Sequence, residues 1–348
     1  MRERVLAVAK DEFSLIRRWT SRASNQEGAG LSVGIGDDAA VFTVPDGMEV
    51  IACCDAMIET VHFLRETMAP ADIGYKAIMS TISDVAAMGG IPRYALVTMG
   101  LSADWTAEEC DRIYDGIYEA LALYGMQLIG GDTVSTPDAL HLSVSVLGEV
   151  ERGRALRRSA ARPGDVVFTT GRLGESAAGL HALLAAARTD REPDQEWETL
   201  YAAHRRPQAA VHAGRLLLTS GAAGALNDIS DGLASELWEI AEASKVHITI
   251  EQERLPISET LRRYAAAVGH DPYRWIFYGG EDYQLVGTVD REAADGLQRQ
   301  FAEHGLSLVC IGRVIEGESE PGITLCEPQG RSRPLGKEGF NHFSGAVE

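Results

Sequence analysis

Lysine is nearly absent, with four in 348 residues: Lys10, Lys76, Lys245 and Lys337. None completes the G-x-x-x-x-G-K-[ST] loop in which a lysine cradles nucleotide phosphates, since Lys337 follows Gly336 but precedes Glu338. A protein-kinase catalytic loop and a G-x-S-x-G elbow are also missing, which leaves a lysine-cradled phosphate and an ordinary serine hydrolase without support. The five cysteines are an odd number, Cys53 and Cys54 are adjacent, and no C-x-x-C occurs. That pattern provides neither a disulfide framework nor a zinc site, and it fits a reducing cytoplasm. No His/Cys cluster suggests a transition metal. No stretch approaches the roughly 18 apolar residues of a membrane span, and the opening MRERVLAVAKDEFSLI has too short an apolar run for a secretory signal. Positive charge is scarce as well: 32 Lys and Arg against 51 Asp and Glu give a net charge of −19. Nucleic acid and anionic membrane surfaces are therefore excluded as main partners.

What is present is ordinary for a globular chain, with 45% hydrophobic residues. The length predicts two domains, since single cores stop growing before this size. The basic, turn-rich stretch Arg152–Pro163 places the boundary near it, giving domains 1–150 and 151–348. Asp11–Arg22 reads as a short amphipathic helix, acid first and base last, and Asn25–Gly30 as a polar loop. Gly34-x-Gly36-x-x-Ala39 formally matches a dinucleotide fingerprint. A strand-like run follows it where a helix would be required, so that reading is rejected. Strands are predicted at Glu49–Asp55 (acid at the carboxyl end), Tyr94–Leu101, Met126–Ile129, Leu140–Val150 and Val166–Thr170. Helices are predicted at Ile73–Met88, Thr106–Tyr124, Glu175–Ala187, Gln208–Leu218 and Leu233–Ala243, with Thr189–Glu198 a surface excursion. Ser230 or Asp231 is read as the N-cap of Leu233–Ala243, whose buried face is Leu233, Leu237 and Ile240. Strands and helices interleave without a clean βαβ run, so the class is α+β.

The chain is organised around Ser83–Pro92, SDVAAMGGIP, and its one acid, Asp84, in an otherwise apolar helix stopped by Gly89-Gly90. A carboxylate there requires a partner, and Ser80 and Lys76, one and two turns back, are candidates. Comparable acids stand at apparent element junctions, most of them beside Gly, Ser or Thr: Asp37-Asp38, Asp55, Asp132, Asp228, Asp231 and Glu281-Asp282. Taken singly, each reads as a turn or cap residue. Likewise His62 alone reads as a surface or hydrogen-bonded histidine, and Phe340 alone as packing. As a set, the acids suit magnesium, which is commonly bound by one or two carboxylates together with substrate phosphates. An acidic protein can then bind phosphate, because the metal carries the positive charge. Glycines at Gly34-x-Gly36 and Gly130-Gly131 let backbone N–H groups approach phosphate oxygens, and Arg157 or Arg158 adds a charged fork.

GIGDDAAV, SDVAAMGGIP, MQLIGGDT, NDISDGL and GGEDYQL, in that order, resemble the thiamine-monophosphate kinase family. That family lies in the superfamily of aminoimidazole ribonucleotide synthetase, selenophosphate synthetase and a hydrogenase maturation factor. The DEFSLI start and GFNHF end extend the resemblance over nearly the whole chain. Thr60-Val61-His62-Phe63, the GGEDY box and GFNHF are its kinase-specific parts. The resemblance implies a two-domain α+β fold: an N-terminal mixed sheet with helices that dimerises, and a C-terminal α/β sandwich that completes the substrate site. It implies a cytoplasmic homodimer that phosphorylates thiamine monophosphate with ATP and several Mg2+ ions, forming thiamine diphosphate as the last biosynthetic step. Position by position, Asp38, Asp55, Asp84, Asp132, Asp228 and Asp231 match metal ligands, and Asp38, Asp84, Asp132 and Asp231 those that matter most for catalysis. Cys54 matches the position before Asp55 where the family has Ser or Thr, and a thiol is a poor magnesium ligand. Tyr114, Gly131, Asp132, Arg158 and Ser230 match nucleotide contacts, while His62, Glu281 and Phe340 match substrate contacts. Two rivals predict other outcomes. Another ATP-dependent enzyme of the superfamily would release phosphate, and a non-catalytic cation-binding protein would not turn over ATP.

Overall fold

The structure, a computed structural model, describes residues 12–23, 30–189, 191–315 and 320–339. Two compact units are present: Met1–Val85 with Ile91–Gly153, and Ala86–Gly90 with Arg154–Glu348. Both mix helices with mostly antiparallel sheet.

In the first unit α1 (Glu12–Thr20) precedes a ribbon of β1 (Leu31–Val33) and β2 (Val41–Phe42). No helix follows Gly34-x-Gly36. The main sheet contains β3 (Met48–Ile58), β4 (Ile91–Leu101), β5 (Gln127–Ser135) and β6 (His141–Glu151), in the order β3-β6-β4-β5. Only β4 and β5 run parallel. Two strands are longer than their sequence predicts. The first runs past Asp55 to Ile58 because β6 pairs with it throughout, with Asp55 opposite Val144. The other continues through Gly130-Gly131-Asp132 opposite β4, placing Asp132 across from Thr98. Gly131 makes this possible: its φ is 155°, and a Cβ there would lie 1.9 Å from the Val97 carbonyl oxygen.

Two helices accompany this sheet, α2 (Pro70–Ala87) and α3 (Ala107–Leu123). α2 buries Ile73, Ile78, Met79, Ile82 and Val85, and the chain turns at Gly89 with φ 70°. α3 starts in a reciprocal capping box, Thr106 Oγ1 accepting from Glu109 N while Glu109 Oε2 accepts from Thr106 N. Strand alternation sends Cys53 and Asp55 toward α2, where the Cys53 thiol donates to Thr81 O at 3.3 Å. The opposite face is open: Ala52, Cys54 and Ala56 are exposed, as are Val50 (47%) and Val134 (46%).

The second unit is built on seven strands: β7 (Val166–Thr170), β8 (Ala223–Asp228), β9 (His247–Glu251), β10 (Leu285–Val289), β11 (Leu308–Val314), β12 (Gly322–Cys326) and β13 (Ser332–Pro334). Their order is β13-β12-β9-β11-β7-β10-β8, with only β9 and β12 parallel. Its helices are α4 (Glu175–Arg188), α5 (Glu198–Arg205), α6 (Val211–Ser220), α7 (Leu233–Ser244), α8 (Glu259–Val268), α9 (Pro272–Tyr278) and α10 (Ala294–Glu303). The core forms where α7 lays Leu233, Leu237, Ile240 and Ala241, all fully buried, among Val167, Ile248, Val286 and Leu325 of the sheet. α5 follows the polar excursion directly; its short apolar face, Leu200 and Tyr201, is buried.

Candidate functional site

The second unit brings two sequence motifs together. β8 and β10 pair antiparallel, with Asp228 opposite Leu285, so NDISDG leaves one strand at the edge where GGEDYQL enters the other. The two loops are then stitched along their backbones. Ile229 N donates to Gln284 O at 2.7 Å, Tyr283 N to Ile229 O at 2.9 Å, and Glu281 N to Ser230 O at 2.7 Å. Glycine is required at this seam: a Cβ on Gly280 would lie 2.3 Å from Ser230 O, and one on Gly232 2.7 Å from Phe277 O. Glu281 (φ 69°) and Tyr283 (φ 49°) occupy the left-handed region, an unfavourable backbone for non-glycine residues that the surrounding hydrogen bonds hold in place.

A polar network underlies the NDISDG loop. Arg158 Nε donates to Asn227 Oδ1 at 2.9 Å and lies 3.2 Å from Glu239 Oε2. The Asn227 amide donates to Glu236 Oε2 at 2.6 Å and Glu239 Oε2 at 3.0 Å. Glu236 Oε1 accepts from Asp231 N at 3.1 Å and from Ser230 Oγ at 3.4 Å. The N-cap expected from Ser230 or Asp231 is replaced: Gly232 is the N-cap of α7, with no side-chain cap bond. Glu236 instead reaches back from within the helix to hold Ser230 and Asp231. Burial first, and then the charges of Asp228 and Glu239, push the Glu236 carboxyl up to about 9. Arg158, Ser230, Asp228 and Asp231, all expected at the site, thus gather at one loop, with Asp228 buried. Asn227, Glu236 and Glu239 join them without standing out as site residues in the sequence. For Glu236 the available signal is an acid one turn into a helix that follows two loop acids.

Beneath GGEDY, Asp282 is buried, and its Oδ2 accepts from Gly174 N at 2.8 Å, holding the turn into α4. Burial, helped by the charges of Glu175 and Glu281, pushes this carboxyl up to about 8 despite backbone hydrogen bonds from Gly174 and Ser176.

In the first unit Asp55 hydrogen-bonds the Thr81 side chain, and burial raises its carboxyl above the ordinary range. Asp84 follows Thr81 by three residues, so α2 presents both on one face. Ser80, an expected partner of Asp84, donates to Ala77 O at 3.1 Å. The structure does not bring the Cys54 thiol to Asp55: Cys54 Sγ lies on the other sheet face, 3.5 Å from Ser143 Oγ and 3.3 Å from Ser145 Oγ. Asp37 and Asp38 are exposed, with Asp38 N donating to Asp37 Oδ1 at 2.9 Å. Asp132 is exposed on edge strand β5 and accepts from Thr133 N at 2.8 Å. His62 Nδ1 accepts from Ile58 N at 3.1 Å, which puts the ring proton on Nε2. Tyr114 is buried and stacks on Trp19 with ring centres 5.2 Å apart, Trp19 being anchored by Nε1 to Asp111 Oδ1 at 3.0 Å. Phe340 lies outside the described residues, as does most of the Asn25–Gly30 loop.

Among the described residues, no group of three or more His, Cys, Asp or Glu side chains is arranged to hold a metal ion. Magnesium needs only one or two carboxylates when phosphate oxygens and water complete its shell. The donors fit that demand. They are hard oxygens, and burial raises the Asp55 carboxyl above its ordinary range, as for a carboxylate that a cation would stabilise. No helix among the described residues is long and apolar enough to cross a membrane.

The AIR synthase related protein family models match this chain in two parts, the N-terminal domain over residues 36–150 and the C-terminal domain over residues 162–323. Thiamine-monophosphate kinase of Bacillus subtilis (strain 168) is 45% identical over 334 residues, 96% of this chain and 99% of that protein. Among solved structures, thiamine-monophosphate kinase from Stenotrophomonas maltophilia K279a has a TM-score of 0.80 at 31% identity, covering 92% of this chain and 98% of that one. The structure of AaThiL complexed with AMPPCP and TMP has a TM-score of 0.75 at 33% identity, covering 95% and 97%.

Proposed function

The chain belongs to the thiamine-monophosphate kinase family of AIR synthase related proteins, and from that premise we propose that it transfers the γ-phosphoryl group of ATP to thiamine monophosphate, giving thiamine diphosphate and ADP. The observation that supports this reading most is the stitched pair of loops carrying Asp228, Ser230, Asp231 and Glu281, since a phosphotransferase must hold donor and acceptor rigidly. The AMPPCP and TMP bound by the AaThiL relative are an ATP analogue and the acceptor of the same reaction.

The acceptor is a phosphate monoester with a second pKa of about 6, so its attacking oxygen is ionised at neutral pH without a general base. The obstacle is repulsion between two polyanions, and several magnesium ions, when bound, offset that charge. Asp38, Asp55, Asp84, Asp132, Asp228 and Asp231 would hold them through hard carboxylate oxygens. Arg158 and Ser230, fixed by Asn227 and Glu236, contact the nucleotide together with Tyr114 and the Gly131 backbone. His62, Glu281 and Phe340 take the organic end of thiamine monophosphate. Transfer is direct and in line, with no covalent enzyme intermediate. In this reading residues 1–150 carry ATP and metal binding, and residues 151–348 complete the substrate site. The exposed face of the four-stranded sheet is the surface offered to a second copy, and five free cysteines suit a reducing cytoplasm.

The test is to incubate the protein with ATP, magnesium and thiamine monophosphate and to separate the products by chromatography. Thiamine diphosphate formed one-for-one with ADP, and lost on adding EDTA, is the expected result. ADP without thiamine diphosphate would refute the assignment and point to another reaction of the superfamily.

A further inference from the structure

His204 closes the last turn of α5 and is almost wholly buried, its side chain 1% exposed. Its Nδ1 lies 3.3 Å from Glu281 Oε2 and 3.5 Å from Ser176 Oγ, in the first turn of α4. Packing rather than sequence proximity delivers it there. A Cβ on Gly179 of α4 would lie 2.0 Å from the Leu200 carbonyl oxygen, so the main chains of α4 and α5 touch and fix the end of α5. The GGEDY turn is anchored from two other directions, by Glu281 N on Ser230 O and by Asp282 Oδ2 on Gly174 N. These bonds set the Glu281 backbone. They leave its three side-chain torsions unset, and ordering such a side chain costs about 1.5–2 kcal/mol. Glu281 is partly exposed, its side chain at 25%, with Oε2 turned inward to the histidine.

We propose that His204 is a positioning residue: from beneath the GGEDY turn it holds the Glu281 carboxylate in the one orientation that receives the cationic, nitrogen-rich end of the substrate. The inference rests on the function proposed above and assigns a role to a residue that itself touches no substrate. The imidazole N–H at Nδ1 donates to Oε2, and the Ser176 hydroxyl lies beside the same ring nitrogen. Binding then requires no reordering of Glu281, so the histidine acts on affinity for thiamine monophosphate and leaves ATP affinity to other residues.

The experiment is steady-state kinetics of the full chain with each substrate varied, using His204→Phe, His204→Asn and His204→Gln, together with Glu281→Gln alone and combined with His204→Phe. Phenylalanine keeps the ring's shape and removes the donor. Asparagine places an amide nitrogen near the Nδ1 position, whereas glutamine places it near Nε2. His204→Phe is expected to raise KM for thiamine monophosphate about tenfold or more, as loss of a hydrogen bond to a charged group predicts. KM for ATP should move less than threefold. Asparagine should recover most of the affinity and glutamine little of it. In the Glu281→Gln background His204→Phe should add almost nothing, because its effect passes through Glu281. Equal changes in KM for both substrates, or additive losses in the double variant, would overturn the proposal. If His204→Phe does not fold, the asparagine–glutamine contrast decides, and equal KM values for those two overturn it. A wild-type protein that makes no thiamine diphosphate refutes the proposed function and this inference together. An active wild type with unmoved variants refutes the inference alone.

Discussion

Gly116→Ala tests how the first unit holds its site residues. At the crossing of α2 and α3 two glycines face the opposing main chain: a Cβ on Gly116 would lie 1.8 Å from Ala71 O, and one on Gly74 2.0 Å from Ile113 O. An ordinary contact begins near 3.4 Å, so the helices must part by about 1.6 Å at this point. Backbone lies on both sides, and no side chain can swing away. A gap of 0.5–1 Å already forfeits about a quarter to a half of a dispersion contact, and Ile78, Met79, Ile82, Ile113 and Ile117 are all fully buried in this unit. Overpacking of this kind costs about 1–3 kcal/mol, and immovable backbone puts it at the upper end. Alanine's better helix propensity returns about 1 kcal/mol. The net loss of about 2 kcal/mol corresponds to a transition about 4–8 °C lower for a unit of this size. Gly296→Ala is the contrasting case, an exposed site in α10 with nothing nearer than Arg299 Nη2 at 4.0 Å. Only the propensity gain operates there, so its unit should melt about 2–4 °C higher. Calorimetric scans of both variants against the parent read the two signs directly. A Gly116→Ala protein that melts at or above the parent would refute main-chain contact between α2 and α3.

Asp282 makes the second unit pH-sensitive. With its carboxyl at about 8 when folded and about 3.9 when unfolded, the folded state keeps a proton between those values that the unfolded chain has released. Its stability contribution is therefore lost as pH rises. Asp282→Asn should flatten the slope of stability against pH by up to about 1.4 kcal/mol per unit in urea titrations between pH 5 and 7.5; parallel slopes would mean that Asp282 is ionised in the fold. Glu236→Ala strips the acceptor from the Asn227 amide, Asp231 N and Ser230 Oγ; a loss of about 1–3 kcal/mol and a raised KM for ATP are expected, and unchanged values for both would count against that network. Asp84→Asn should lower kcat by about a hundredfold or more with the melting temperature kept, and full activity would remove Asp84 from the site.

Much of the fold is legible where local chemistry decides it. β7 and the starts of α4 and α7 fall where apolar periodicity and turn residues place them, and the strand-like run after Gly34-x-Gly36 excludes a dinucleotide loop. Strand ends were less legible, because a partner rather than a terminator sets them: β6 carries β3 past Asp55, and β4 carries β5 through Gly130-Gly131. The α7 cap departs from its sequence expectation because Ser230 and Asp231 have the chemistry of N-caps, yet Glu236 engages them from within the helix. The opposed directions of Cys54 and Asp55 follow from a two-residue strand repeat, once the strand is known to run through both.

The order and spacing of the acid-glycine motifs were determined by the sequence alone, because each depends on neighbouring residues: a carboxylate, and glycines that admit close backbone approach. Tertiary structure alone decided which side chains meet. Asp282 holds Gly174 across 108 positions of chain, His204 reaches Glu281 through the contact of α4 with α5, and Trp19 covers Tyr114. The physical reason is that strand register, close main-chain approach at glycines and exclusion of water from the core act between segments far apart in sequence. Local propensity carries no record of them.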